Sequence, residues 1–333
     1  MVTIRDVARA AGVSVATVSA VLNSDSKVNV SKKLTEKVNN TIRELNYRPN
    51  LIARNLAKNN SRVIAYIVPS ISNRFFSQTA GAVEDIAFAE NYSIYLCNTH
   101  GREERAGLYI EHLIDSRVSG VITTLTWEIK EKYIKMLRRE KIPVVGLAGA
   151  QIMEEIDTVT VNDREGGRIA TEYLIQKGHK NIGFIGLQHS KTTEQRFQGY
   201  LQAFKDHSMP APKGLVVLGA KFTRAEGANL TGILMKQHPE VTGIFVYNDE
   251  LGAGVVDKLF ALNIKIPQET AVIGFDDSVA EYTRPQLTTM ILPKQEMART
   301  AMDMLFERIR QKEKKPAPRH IQILPALMPR ESA

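Results

Sequence analysis

The chain has 333 residues, a formal net charge of +8, 43% hydrophobic residues and one cysteine, a size that calls for two or three compact units rather than one core. No run of about 18 apolar residues is present to span a bilayer, and the start Met1-Val2-Thr3-Ile4-Arg5-Asp6 lacks the basic, apolar, small-residue order of a secretory leader, which assigns the protein to the cytoplasm. Cys97 alone excludes an internal disulfide and a cysteine-built zinc site; within Tyr95-Leu96-Cys97 it reads as a core residue.

The charge is localised. Residues 1–62 carry eleven Lys and Arg against four Asp and Glu, so nearly all of the excess sits in the first segment and the remainder is close to neutral. A polyanionic partner for that segment follows. Thr3 stands three residues before Asp6, a capping pair, and Ile4, Val7, Ala8 and Ala11 then share one helical face. Gly12 ends this helix, and Ser14 caps a second with Val18, Val21 and Leu22 as its buried side. A third helix after Ser31 carries Leu34, Val38, Ile42 and Leu45 at helical spacing. Three small helices with a glycine turn read as a helix-turn-helix, whose second helix fits the major groove; a plain three-helix bundle is the competing reading. Val15, Ala16 and Ala20 are then the groove-facing positions, with Thr17 and Ser19 able to donate to phosphates or base edges.

Asp6-Val7-Ala8, Gly12-Val13-Ser14 and Thr17-Val18-Ser19-Ala20-Val21-Leu22-Asn23 closely resemble the LacI/GalR family of transcriptional regulators. The resemblance adds Thr3, Ser14 and Asn23 to the DNA-contacting set. Family members usually carry Arg where this chain has Ala20, so at that position a methyl contact to thymine replaces direct guanine readout.

Tyr47-Arg48-Pro49-Asn50 breaks the third helix, because proline keeps the preceding residue out of helical geometry, and Asn50 can cap a short helix to Lys58. Such a segment is marginal alone and orders only against a partner; a simple flexible linker is the alternative. The resemblance implies that two hinge helices pair on the minor groove, with Asn50, Ala53 and Arg54 at the DNA and Leu56 as an apolar wedge that trades unstacking for a bend.

From residue 62 onward, short β-branched runs alternate with amphipathic helical stretches, the pattern of parallel sheets covered by helices on both faces. One series has strands near 63–68, 93–97, 120–124 and 143–147; a second has them near 181–185, 215–218, 243–247 and 271–275. Each series closes on a further short run, 158–161 and 288–292. This divides the chain into a helix-turn-helix domain (1–48), a hinge (49–61), an N-terminal lobe (62–161 and 292–321) and a C-terminal lobe (162–291 and 322–333). The fold class is thus an all-α DNA-binding head joined to an α/β effector domain of two doubly wound parallel-sheet lobes, which the resemblance identifies as periplasmic-binding-protein-like.

Ligands of such sheets bind beyond the carboxyl ends of strands. Asn73, Phe75, Phe76, Arg196, Phe222, Asn248 and Asp276 follow strand ends, and Arg196 reads as the opening of a helix. An Arg, Asn and Asp with aromatic rings can hold a polyol by its hydroxyls while rings cover its apolar face, so the expected effector is a sugar, and family contacts fall at Phe76, Arg196, Phe222, Asn248 and Asp276. Duller roles stand beside these: Phe75 and Phe76 as core, Arg196 in a surface pair, Asp276 as a strand-end cap. Ala148 stands where many members have a ligand-facing Asp, and Arg74 replaces the family's usual proline, bringing a positive charge that favours an acidic or phosphorylated sugar.

No dinucleotide-binding, phosphate-loop or nucleophile-elbow motif is present, and the dispersed histidines form no metal spacing. No catalytic residue, cofactor or metal is therefore expected. The function read from the sequence is a homodimeric repressor of carbohydrate genes that binds palindromic duplex DNA and answers to a small molecule, without a membrane role. A purine effector, a phosphorylated partner protein, or a cytoplasmic solute-binding protein without a DNA role are the rival readings. Induction and corepression use the same parts.

Overall fold

Thr3 and Asp6 build the first helix as their spacing predicts. In the computed structural model, which describes residues 2–22, 30–47, 61–124, 129–149, 153–210, 212–311 and 316–333, helix α1 spans Ile4–Ala11 with a complete capping box. Gly12 closes it at φ 64°, left-handed geometry that a residue without Cβ adopts freely. Helices α2 (Val15–Leu22) and α3 (Lys32–Glu44) follow. Val7, Ala8, Ala11, Val18 and Val38 are the buried core, with Ile4, Val21, Leu22, Ile42 and Leu45 packed around them. The head is thus a separate compact unit within 1–61. The predicted hinge positions Asn50, Ala53, Arg54 and Leu56, together with Asn23, lie outside the described residues.

The second unit, 62–333, holds two six-stranded sheets. In chain order the first series is β1 (Val63–Val68), α4 (Arg74–Ala89), β2 (Ser93–Asn98), α5 (Glu103–Asp115), β3 (Gly120–Thr123), α6 (Glu131–Arg139), β4 (Val144–Leu147) and β5 (Asp157–Val161). The second is α7 (Asp163–Gln176), β6 (Ile182–Leu187), α8 (Lys191–Asp206), β7 (Val216–Gly219), α9 (Arg224–Gln237), β8 (Gly243–Val246), α10 (Asp249–Ala261), β9 (Ala271–Asp276) and β10 (Thr288–Ile291), with a 3₁₀ turn at Ala280–Tyr282. Helix α11 (Lys294–Arg310) and strands β11 (His320–Ile323) and β12 (Ala326–Met328) finish the chain. The sheet orders are β11-β5-β4-β3-β1-β2 and β12-β10-β9-β8-β6-β7. Every pairing is parallel except β10 with β12.

The chain passes between the sheets after β5, after β10 and again between β11 and β12. β11 joins the first sheet beside β5, and β12 joins the second beside β10. Helix α11 packs on α4 and on β3, β4 and β5, so an element late in sequence completes the first lobe. Arg308 fixes its end, donating to both oxygens of Asp157 at 2.7 Å. Cys97 is buried, as its neighbours predict.

Candidate functional site

On the head, α2 presents an apolar and hydroxylic face. Val15, Ala16 and Ser19 are exposed, and Thr17 and Ala20 are half-buried. Ser14 accepts from the Thr17 amide at 3.1 Å, and the two hydroxyls lie 2.8 Å apart. The Thr3 hydroxyl donates to Asp6 at 2.7 Å, which holds Thr3 at the start of α1. The Ser14 bonds fix the start of α2, the end that meets base edges when such a helix enters a groove.

In the second unit, two glycine contacts set the geometry. Gly167 of α7 and Gly199 of α8 lie against the backbones of Arg196 and Arg164, where any Cβ would collide with a carbonyl. That close approach brings Asp163, the first residue of α7, to Arg196. Arg196 is 6% exposed. It donates through Nε to Asp163 Oδ1 at 2.8 Å, with Nη2 2.7 Å from the same oxygen, and through Nη1 to the Tyr247 carbonyl. Its guanidinium lies 3.4 Å from the Phe275 ring centroid and 4.9 Å from that of Tyr247. Burial pushes the Asp163 carboxyl above its ordinary value, and the Arg196 charge opposes the push.

This arrangement corrects one sequence expectation. Arg196 lies in the second turn of α8 rather than at its opening, because Ser190 accepts from the Thr193 amide and starts the helix earlier. Arg196 is therefore a buried ion-pair partner and not one side of a surface pair.

The other predicted residues fall into two groups. Asn73 and Asn248 are buried N-caps whose Oδ1 atoms accept from Phe75 and Leu251 at 3.0 and 3.1 Å. Their amide NH₂ groups remain as donors. Phe75 is buried in the main core, whereas Phe76 and Phe222 are half-buried and face each other across the two lobes, ring centroids 6.5 Å apart. Arg74 makes a second crossing contact, its guanidinium 4.4 Å from the Tyr282 ring centroid.

Asp276 closes β9 at φ 92° and Asp277 follows at φ 50°, conformations that each cost about 1–3 kcal/mol and persist only when neighbours enforce them. The enforcement is visible. The Ser278 amide donates to Asp276 Oδ1 at 3.0 Å, Lys294 Nζ donates to the Asp277 carbonyl at 3.0 Å, and Arg330 pairs with the Asp277 carboxylate at 2.7 Å. Burial raises the Asp276 carboxyl to about 6, against the Ser278 bond and the charges of Lys294 and Arg196. The expected contact set left out Asp249, buried one position after the Asn248 cap, and the bracing tail residue Arg330; a charged residue at the foot of an apolar strand-helix turn was the available signal for the first. Among the described residues no cluster of His, Cys, Asp or Glu is placed to hold a metal ion, and no helix is long and apolar enough to cross a membrane.

Two family models match the chain: "Bacterial regulatory proteins, lacI family" over residues 3–50 and "Periplasmic binding protein-like domain" over residues 171–333. The ribose operon repressor of Escherichia coli K12 is 36% identical over 335 residues, spanning 100% of both chains. The HTH-type transcriptional repressor PurR of Vibrio atlanticus is 34% identical over 316 residues, covering 94% of this chain and 93% of its own. Among solved structures, a LacI family regulator from Enterococcus faecium with bound ribose superposes with a TM-score of 0.73 at 27% identity, covering 81% of this chain and 98% of its own.

Proposed function

The chain belongs to the LacI family of bacterial regulatory proteins and is a DNA-binding transcriptional regulator rather than an enzyme; from that premise we propose that it represses carbohydrate genes in the cytoplasm as a homodimer on a palindromic operator, under control of a pentose bound between two lobes. The lobes are 62–161 with 292–321, and 162–291 with 322–333; residues 1–48 are the reading head and 49–61 the hinge. Two heads on one two-fold axis match the symmetry of a palindrome. Val15, Ala16 and Ala20 read bases, Thr3, Ser14, Thr17, Ser19 and Asn23 anchor the backbone, and Asn50, Ala53, Arg54 and Leu56 work at the minor groove.

The observation that carries the effector assignment is the cluster on the second sheet. Arg196 is held rigid between Asp163, Phe275 and Tyr247, while Asn248 offers amide donors and Asp276 a carboxylate. Phe76 and Phe222 supply rings, and Asn73 and Phe75 support the first lobe. Such a set suits a small polyol. Similarity along the full length to a ribose repressor supports a pentose.

A purine is the second reading, favoured by the similarity to PurR over 94% of the chain. Anisotropy of a labelled palindromic duplex separates the two. D-ribose is expected to change operator affinity by about 5–150-fold, with no response to hypoxanthine or guanine. A response to the bases alone would replace the sugar assignment, and no preference for any duplex over random DNA across a salt series would overturn the regulator mechanism proposed here.

A further inference from the structure

Asp249 is 0% exposed, at the first position of α10. Its recess is built for it: a Cβ on Gly274 of β9 would overlap Asp249 Oδ1. The Ser278 amide donates to Asp249 Oδ2 at 2.9 Å and to Asp276 Oδ1 at 3.0 Å, so one N–H serves two buried carboxyls. Thr289 Oγ1 donates to Asp249 Oδ1 at 2.6 Å. Among the described residues neither carboxyl is in an ion pair, and the Ser278 hydroxyl, 3% exposed, has no hydrogen-bond partner.

The charged groups around the pair are unequally shared. Lys294 at the start of α11 and Arg196 of α8 act on Asp276, whereas Asp249 faces the negative charges of Asp276 and Asp277. Arg196 already serves Asp163, and Arg330 already serves Asp277. Farther along α10, Asp257 pairs with Arg224. Two like charges in one dry recess cannot both persist.

We propose that Asp249 is a positioning residue that holds a proton at neutral pH while its Oδ2 accepts the Ser278 amide, leaving Asp276 as the only ionised carboxylate of the pair. The link to effector hydroxyls rests on the reading of Asp276 as a ligand contact, but the proton on Asp249 does not. Burial and the neighbouring Asp276 charge both push the Asp249 carboxyl well above its usual range.

Asn is the uncharged isostere of the protonated acid, so Asp249→Asn is expected to fold. Urea unfolding of both full-length proteins followed by far-UV circular dichroism between pH 6 and 8.5 measures the linkage. Native wild type retains a proton that the unfolded chain releases, so the folding equilibrium constant of D249N should gain on wild type by up to about tenfold per pH unit as pH rises. A D249N chain that fails to fold, or a constant ratio across that range, overturns the proposal. A second readout needs no effector: the ¹⁵N-labelled Ser278 amide should titrate near pH 6 in wild type and in D249N, and lose that transition in Asp276→Asn. A midpoint that drops by more than one pH unit in D249N would show that Asp249 is charged at neutral pH, against the proposal.

Discussion

Arg196 illustrates why one side chain can serve two roles that a single substitution does not separate. Removing it leaves the Asp163 carboxylate buried without its counter-charge, so Arg196→Ala should cost about 3–5 kcal/mol of stability as well as any effector response. Chemical denaturation of the full chain checks this; a loss below about 1 kcal/mol would mean that water reaches Asp163. Asn248 allows a cleaner division, because its oxygen caps α10 while its NH₂ makes no hydrogen bond among the described residues. Asn248→Ser keeps a capping oxygen and deletes the amide donors, so stability should change by under about 1 kcal/mol while D-ribose affinity falls at least about tenfold, a loss of about 1.4 kcal/mol or more. Calorimetric titration of folded N248S decides it, and unchanged affinity would remove Asn248 from the site.

At the scale of elements, the head is the marginal part of the molecule. Among the described residues five hydrophobic side chains form its buried core, and so small a core leaves little stability in reserve. Val18 is 0% exposed at the contact of α2 with its neighbours. Val18→Ala should destabilise the head by about 2 kcal/mol and weaken operator binding, while the unfolding of the second unit stays where it was. Differential scanning calorimetry reads both units, and a joint shift of all transitions would contradict independent cores. The second unit is reinforced differently. Arg308 clamps Asp157 across more than a hundred residues, and Ser332, 0% exposed, accepts from the Thr288 amide at 2.8 Å and donates to the Val272 carbonyl at 2.6 Å, so the last residues are part of the second sheet's framework.

For the molecule as a whole, the lobes meet through Phe76 with Phe222 and through Arg74 with Tyr282. The second contact alters the expectation attached to Arg74. Its guanidinium is engaged by an aromatic face that is 61% exposed, and such contacts contribute about 0.5–1 kcal/mol. Arg74→Ala should therefore reduce affinity for a neutral pentose by about 2–5-fold, through a less favoured closed arrangement. A much larger loss confined to acidic sugars, measured by the same titration, would restore Arg74 as an anion-binding residue.

Local chemistry made much of this legible. Charge counting isolated the head, Thr3 with Asp6 and Gly12 marked the ends of α1, and β-branched runs located the ten strands from β1 to β10 to within a few residues, because these signals act between near neighbours. The cap at Ser190 was as local but was overlooked, which moved the start of α8. What the chain alone did not disclose depends on distant segments meeting. β11 and β12 are only four and three residues long and largely exposed, so only pairing with β5 and β10 makes them strands. Asp249 looks like an ordinary acidic residue at a helix start until Gly274, Ser278 and Asp276 close around it. Helix propensity, capping and charge are properties of short stretches, whereas burial and the sharing of one N–H between two carboxyls exist only after folding has excluded water from groups far apart in sequence.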